Sequence, residues 1–84
     1  MYQINPEILE AEVEGQQMLM LDPERGEYFE LNPTSVFIYS MIKKGCDFDY
    51  IIKKMLENYD CDQSTAEKDL KELIQTFRDS HILI

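Results

Sequence analysis

From Ile8 to Glu14 apolar and polar positions alternate, with Leu9, Ala11 and Val13 in one row and Glu10, Glu12 and Glu14 in the other. A period of two belongs to a strand, and this division predicts one face in a core and one in water. Gly15 supplies a turn. From Gln17 to Asp22 the pattern changes, because Met18, Leu19, Met20 and Leu21 are apolar on both faces, which suits a central strand covered on both sides. A third strand is predicted over Glu27–Leu31, with Phe29 and Leu31 toward the core and Tyr28 and Glu30 away from it. Asp22-Pro23-Glu24-Arg25-Gly26 joins the last two as a tight turn. Asp opens it, Pro fixes φ at its second position, and Gly stands where a left-handed residue is needed.

After Leu31 the apolar spacing becomes helical. Asn32 caps a first helix and Pro33 takes its first position. Val36, Phe37, Ile38, Tyr39, Met41 and Ile42 predict burial on more than one side, and Lys43 and Lys44 fall in the last turn before Gly45, where the helix dipole favours them. Asp47 caps a second helix over Phe48–Asn58, in which Ile51, Ile52, Met55, Leu56 and Tyr59 recur at helical spacing and Lys53 and Lys54 lie outside. Asp60-Cys61-Asp62 leads to Ser64-x-x-Glu67, a capping box that predicts the start of a third helix running to Asp79. At roughly 100° per residue, Ala66, Leu70, Leu73 and Phe77 form its core stripe, while Glu67, Lys71, Ile74 and Arg78 line one flank. That flank sets an aliphatic residue between two cations and suits a partner segment with an apolar anchor and carboxylates. The same cations can instead pair with Glu67 and Asp79 in water.

Tight turns make the three strands an antiparallel meander whose first and third members are edges. A row of glutamates guards the first. The third, with Tyr28 on its outer side, is guarded less and offers unpaired N–H and C=O groups to an extended peptide. A crossing loop or a terminal segment such as Ile82-Leu83-Ile84 can cover that edge instead.

Composition narrows the function. The 84 residues suffice for one small domain spanning 1–84 with a single core. Acidic residues outnumber basic ones 17 to 8, for a net charge of −9 and a pI near 4.4. Such a field repels nucleic acid, whose binding draws on Lys and Arg against phosphate. Cys46 and Cys61 form no CxxC pair and His81 is the sole histidine, which argues against a metal site and leaves two free thiols with no assigned chemistry. The N-terminal stretch MYQINPEILEAEVEG lacks a basic region followed by an apolar run, and no segment reaches membrane-spanning length. The expectation is a cytoplasmic protein. A glycine-rich phosphate loop, a nucleophile with a histidine base and a ligand cluster are all missing, so a binding module without cofactor is expected rather than an enzyme.

Three strands followed by three helices describe an α+β fold, winged helix-turn-helix-like, with its antiparallel sheet at the N-terminus. Fold alone would place the third helix in a DNA groove. There, however, Glu67, Asp69, Glu72 and Asp79 offset Lys68, Lys71 and Arg78.

The run Leu21-Asp22-Pro23-Glu24-Arg25-Gly26-Glu27-Tyr28-Phe29-Glu30-Leu31-Asn32, with a helix beginning just after it, resembles the PqqD family, also called the RiPP recognition element. The resemblance continues through Ile38-Tyr39, Tyr59-Asp60 and Asp69-Leu70 to Ile82-Leu83, and so covers Val13 to Leu83. Where the family often has Trp, this chain has Tyr39, at a position expected to pack the core. The resemblance implies binding of the leader segment of a ribosomally synthesised precursor peptide, which adds as a strand to the third strand beside the third helix. The leader-binding residues it implies are Glu27, Tyr28, Phe29, Glu30 and Leu31, with Glu67, Leu70, Lys71, Ile74 and Arg78 from the helix. On that basis Ile74→Asp is expected to weaken leader binding without unfolding the domain. The implied partners are the precursor peptide and a separate modifying enzyme. Either a lasso-peptide pathway with its leader peptidase and cyclase, or a radical SAM enzyme served by a peptide chaperone as in PQQ biosynthesis, fits a member of this size. Two other classes stay open: a winged-helix nucleic-acid binder, and a dimerisation domain using Met18 and Met20 as its outer contact surface, so that the chain is a monomer or a weak homodimer.

Overall fold

The computed structural model describes residues 2–84. Three strands, β1 (Leu9–Val13), β2 (Gln17–Asp22) and β3 (Glu27–Leu31), precede three helices, α1 (Pro33–Lys43), α2 (Phe48–Asn58) and α3 (Gln63–Asp79). This is the expected α+β order, and the strands form one antiparallel sheet in the order β1-β2-β3.

Local chemistry sets the boundaries. Asp22 closes the β2–β3 hairpin: its Oδ1 accepts from the backbone N–H groups of Glu24 and Arg25 at 3.1 and 3.2 Å, and Gly26 takes the left-handed φ of 67° that the turn requires. Asn32 caps α1 by accepting from Ser35 N–H at 2.8 Å, and Asp47 caps α2 by accepting from Tyr50 N–H at 2.9 Å, both as expected. The α3 cap differs from the expected box. Asp62, rather than Ser64, accepts from Thr65 N–H at 2.8 Å, and the helix begins at Gln63, ahead of the expected start. An aspartate two residues upstream is an equally good cap with a formal charge at the positive helix end.

The core gathers Met20, Leu31, Ile38, Tyr39, Ile42, Ile51, Leu70, Ile74 and Phe77 between one sheet face and the helices. Tyr39 is fully buried and meets Phe77 edge to face, with ring centroids 6.1 Å apart. The chain ends are tied together: Asn5 N–H donates to Ile82 O at 2.8 Å, Ile84 N–H donates to Gln3 O at 2.9 Å, and Ile4 bridges Leu83. The Ile82–Ile84 segment therefore pairs with the N-terminal residues and not with β3.

Register overturns the expected facing of the first two strands. Glu10 lies across from Met20, and Met20 across from Phe29, so these three share the face that looks to the helices. Leu9, Ala11 and Val13 accordingly point outward with Leu19 and Leu21, and Leu9 and Val13 are exposed. Alternation divides a strand into two faces without saying which is inner. Here Glu10 can face inward because the Tyr39 hydroxyl donates to its Oε2 at 2.7 Å and Lys43 Nζ donates to its Oε1 at 3.0 Å. β2 is therefore not covered on both sides. Its inner residues are Met18 and Met20, so these methionines are not the outer contact surface, and its outward residues are Leu19 and Leu21.

Candidate functional site

β3 has β2 on one side and, among the described residues, no strand on the other. Its residues divide as expected: Tyr28, 67% exposed, and the exposed Glu30 look outward, while Leu31 is buried and Phe29 is half-buried against the core. Glu27 opens the strand, exposed, beside the Asp22 turn. That turn fixes how the chain enters β3. Two backbone donors are fixed on Asp22, and Arg25 Nη1 adds a 3.3 Å contact to its Oδ2.

Where β3 hands over to α1, a depression of about 240 Å³ opens toward α3. Asn32, Thr34 and Ser35 form one wall and Asp69, Glu72 and Leu73 the other, with Ile38 and Met55 at the floor. Leu73 is half-buried, so part of its side chain is free to meet a ligand. The wall is acidic, which favours a ligand carrying cations. A larger depression of about 540 Å³ lies between Val13, Met18, Phe37 and Tyr59 under the β1–β2 end of the sheet. It adjoins β1, where Glu12 lines it and charge guards the edge, and so lacks an inviting strand to pair with.

The structure separates the residues that the sequence groups on α3. Leu70 is fully buried and Ile74 is 5% exposed, so both are core residues. Ile74 takes the place in the buried stripe that periodicity gives to Leu73, which is only half-buried. Glu67 is half-buried and accepts from Gln63 Nε2 at 3.2 Å. Lys71 is exposed, and the Arg78 guanidinium lies 5.8 Å from the centre of the Tyr2 ring, at the N-terminal segment. These two cations thus stand away from the depression, and the apolar anchor between two cations does not exist as a surface. Asp69, Glu72 and Leu73 are the residues that sequence periodicity passes over. Two aliphatic residues in succession, Leu73 and Ile74, leave the stripe's centre undetermined until the neighbouring elements are placed.

The ionisable groups near the sheet serve structure. Partial burial pulls the Glu10 carboxyl up, but the hydrogen bonds from Tyr39 and Lys43 outweigh it and hold the group below the usual carboxylate range. Burial first, then the Glu10 carboxylate, push the Tyr39 hydroxyl far up, so it stays protonated and donating. No group of three or more His, Cys, Asp or Glu side chains could hold a metal among the described residues, and no helix there is long and apolar enough to cross a membrane.

A small α+β domain of winged-helix type, with an open strand edge and a helix-lined depression just beyond the end of that strand, is the class that fold and site define. The model of the PqqD family, coenzyme PQQ synthesis protein D, matches residues 17–83, and the chain belongs to that family. Two solved structures share the fold. One is a lasso peptide synthetase B1 complexed with the leader peptide, 24% identical, with a TM-score of 0.91 over 99% of this chain and 96% of that one. The other is TbiB1 in complex with the TbiA(beta) leader peptide, 22% identical, with a TM-score of 0.89 over 96% of this chain and 93% of that one. No curated relative matches the chain in sequence.

Proposed function

We propose that this protein is a non-catalytic, cytoplasmic recognition element that binds the leader segment of a ribosomally made precursor peptide and delivers it to a modifying enzyme. The observation that carries the reading is the open edge of β3, whose C-terminal neighbour Asn32 borders the depression between α1 and α3. Family membership and the leader-bound state of both similar structures support it. The leader adds as a strand along Glu27, Tyr28, Phe29, Glu30 and Leu31, where backbone pairing gives affinity with little regard to sequence. Selection comes from side chains that enter beside Asn32 and Leu73, and Asp69 and Glu72 favour a leader with Lys or Arg at that point. The similar structures favour service in a lasso-peptide pathway. The family match favours a second reading in which the enzyme served is a radical SAM enzyme, with the same mode of binding.

Amide chemical-shift mapping tests the reading, with labelled protein titrated by the leader peptide of the precursor encoded beside it. Shifts concentrated on 27–32 and 69–73 are expected. Shifts confined to the Lys71 and Arg78 side of α3, or none at all, would remove β3 from the site.

A further inference from the structure

The outer face of the sheet carries apolar side chains on all three strands. Leu9, Val13 and Tyr28 are 56, 45 and 67% exposed, with Ala11, Leu19 and Leu21 half-buried among them. Register sets them side by side: Leu9 lies across from Leu21, and Leu21 across from Tyr28, while Ala11 lies across from Leu19. The helices pack on the opposite face, where Tyr39 reaches Glu10. Single exposed apolar residues are ordinary, but a contiguous row spanning a sheet marks a contact surface.

We propose that this face docks the enzyme that modifies the bound peptide, through a partner surface that is apolar at its centre and carries Lys or Arg at its rim. The inference rests on the peptide-binding reading above. Charge selects the occupant. Glu30 stands on the face, Glu14 and Glu24 stand at its two hairpin ends, and the neighbouring cation, Arg25, is held on Asp22 at 3.3 Å. A second copy of this chain would bring the same carboxylates and a further charge of −9 into the contact, which opposes self-stacking. A cationic rim is attracted instead.

Continuity points the same way. Tyr28 belongs both to this face and to the β3 edge, so a strand added to β3 widens the face by one strand. An enzyme seated there touches the protein and its bound peptide together. By linkage, peptide and enzyme then each tighten the other's binding by the same factor.

The test uses the full chain, the leader peptide of the neighbouring precursor and the peptide-modifying enzyme encoded with it. Calorimetry measures the affinity of the enzyme alone and of the leader alone for the wild type, Leu9→Glu and Val13→Glu. Both positions are already well exposed, and thermal melts verify that each variant folds. Enzyme affinity is expected to fall by about tenfold or more in each variant, with leader affinity unchanged within about twofold. Wild-type enzyme affinity in both variants, or no binding of the enzyme to the wild type, would overturn the inference. So would a wild-type dimer in sedimentation that either variant dissolves, since a second copy would then own the face. Failure of the leader to bind the wild type would instead overturn the peptide reading, because the enzyme arm is measured without peptide.

Discussion

Asp22 is 1% exposed, yet its carboxylate is fully used: two turn N–H groups donate to one oxygen and Arg25 approaches the other. Removing it leaves the two turn N–H groups without their acceptor at the hairpin that leads into β3. Asp22→Ala is expected to cost about 1–3 kcal/mol in urea unfolding, with Asn a milder change because its amide oxygen can still accept. Tyr39 carries a second local device. Loss of its hydroxyl in Tyr39→Phe leaves Glu10 with Lys43 alone, at an expected cost of about 1–2 kcal/mol near neutral pH. The pH dependence follows from the depressed Glu10 carboxyl. Its contribution is complete above the ordinary value of 4.5 and is lost as pH falls through the lower folded value, so the gap between wild type and Tyr39→Phe should close in acid. Unfolding curves from pH 7 to 3 check this, and a gap that persists would show that the hydroxyl acts by packing.

At the scale of elements, strands and helices follow from local signals, whereas their facing does not. The Asp-Pro-x-x-Gly turn and the Asn32 and Asp47 caps were legible because each satisfies its own backbone. The facing of β1 was not, because its polar row could be solvated or, as here, bonded to Tyr39 and Lys43 across 29 and 33 residues. Helix α3 poses the same problem in its Leu73-Ile74 pair. Ile74 is buried, so Ile74→Asp is expected to destabilise the fold by about 3 kcal/mol or more and cannot serve as a surface probe. Leu73→Asp, at the depression, should remain folded and bind the leader about tenfold more weakly or worse. Thermal melts and calorimetry on the pair separate the two positions, and full leader affinity in a folded Leu73→Asp variant would take α3 out of the site.

For the whole molecule, charge decides against what a winged-helix-like fold would suggest. A net charge of −9, with an acidic wall beside α3, sets duplex DNA at a disadvantage at every approach. Anisotropy titrations with duplex DNA are expected to show no binding at about 150 mM salt, and a salt-sensitive affinity would restore the nucleic-acid reading. The leader, by contrast, gains from the same field if it is cationic, and its affinity should fall moderately with salt while the backbone pairing persists.

Sequence by itself determined the six elements, their order, the hairpin turn and the caps of the first two helices, since each depends on residues close in the chain. It also placed β3 last in a meander, where its outer edge could be open or covered by another segment, and it carried the family resemblance. Tertiary structure decided which rows face inward, that the C-terminal segment pairs with residues 3–5 and leaves β3 open, and that Leu73 rather than Ile74 borders the depression. Those outcomes depend on which element packs against which, and periodicity is blind to the neighbour that covers one side of a strand or helix and leaves the other to solvent.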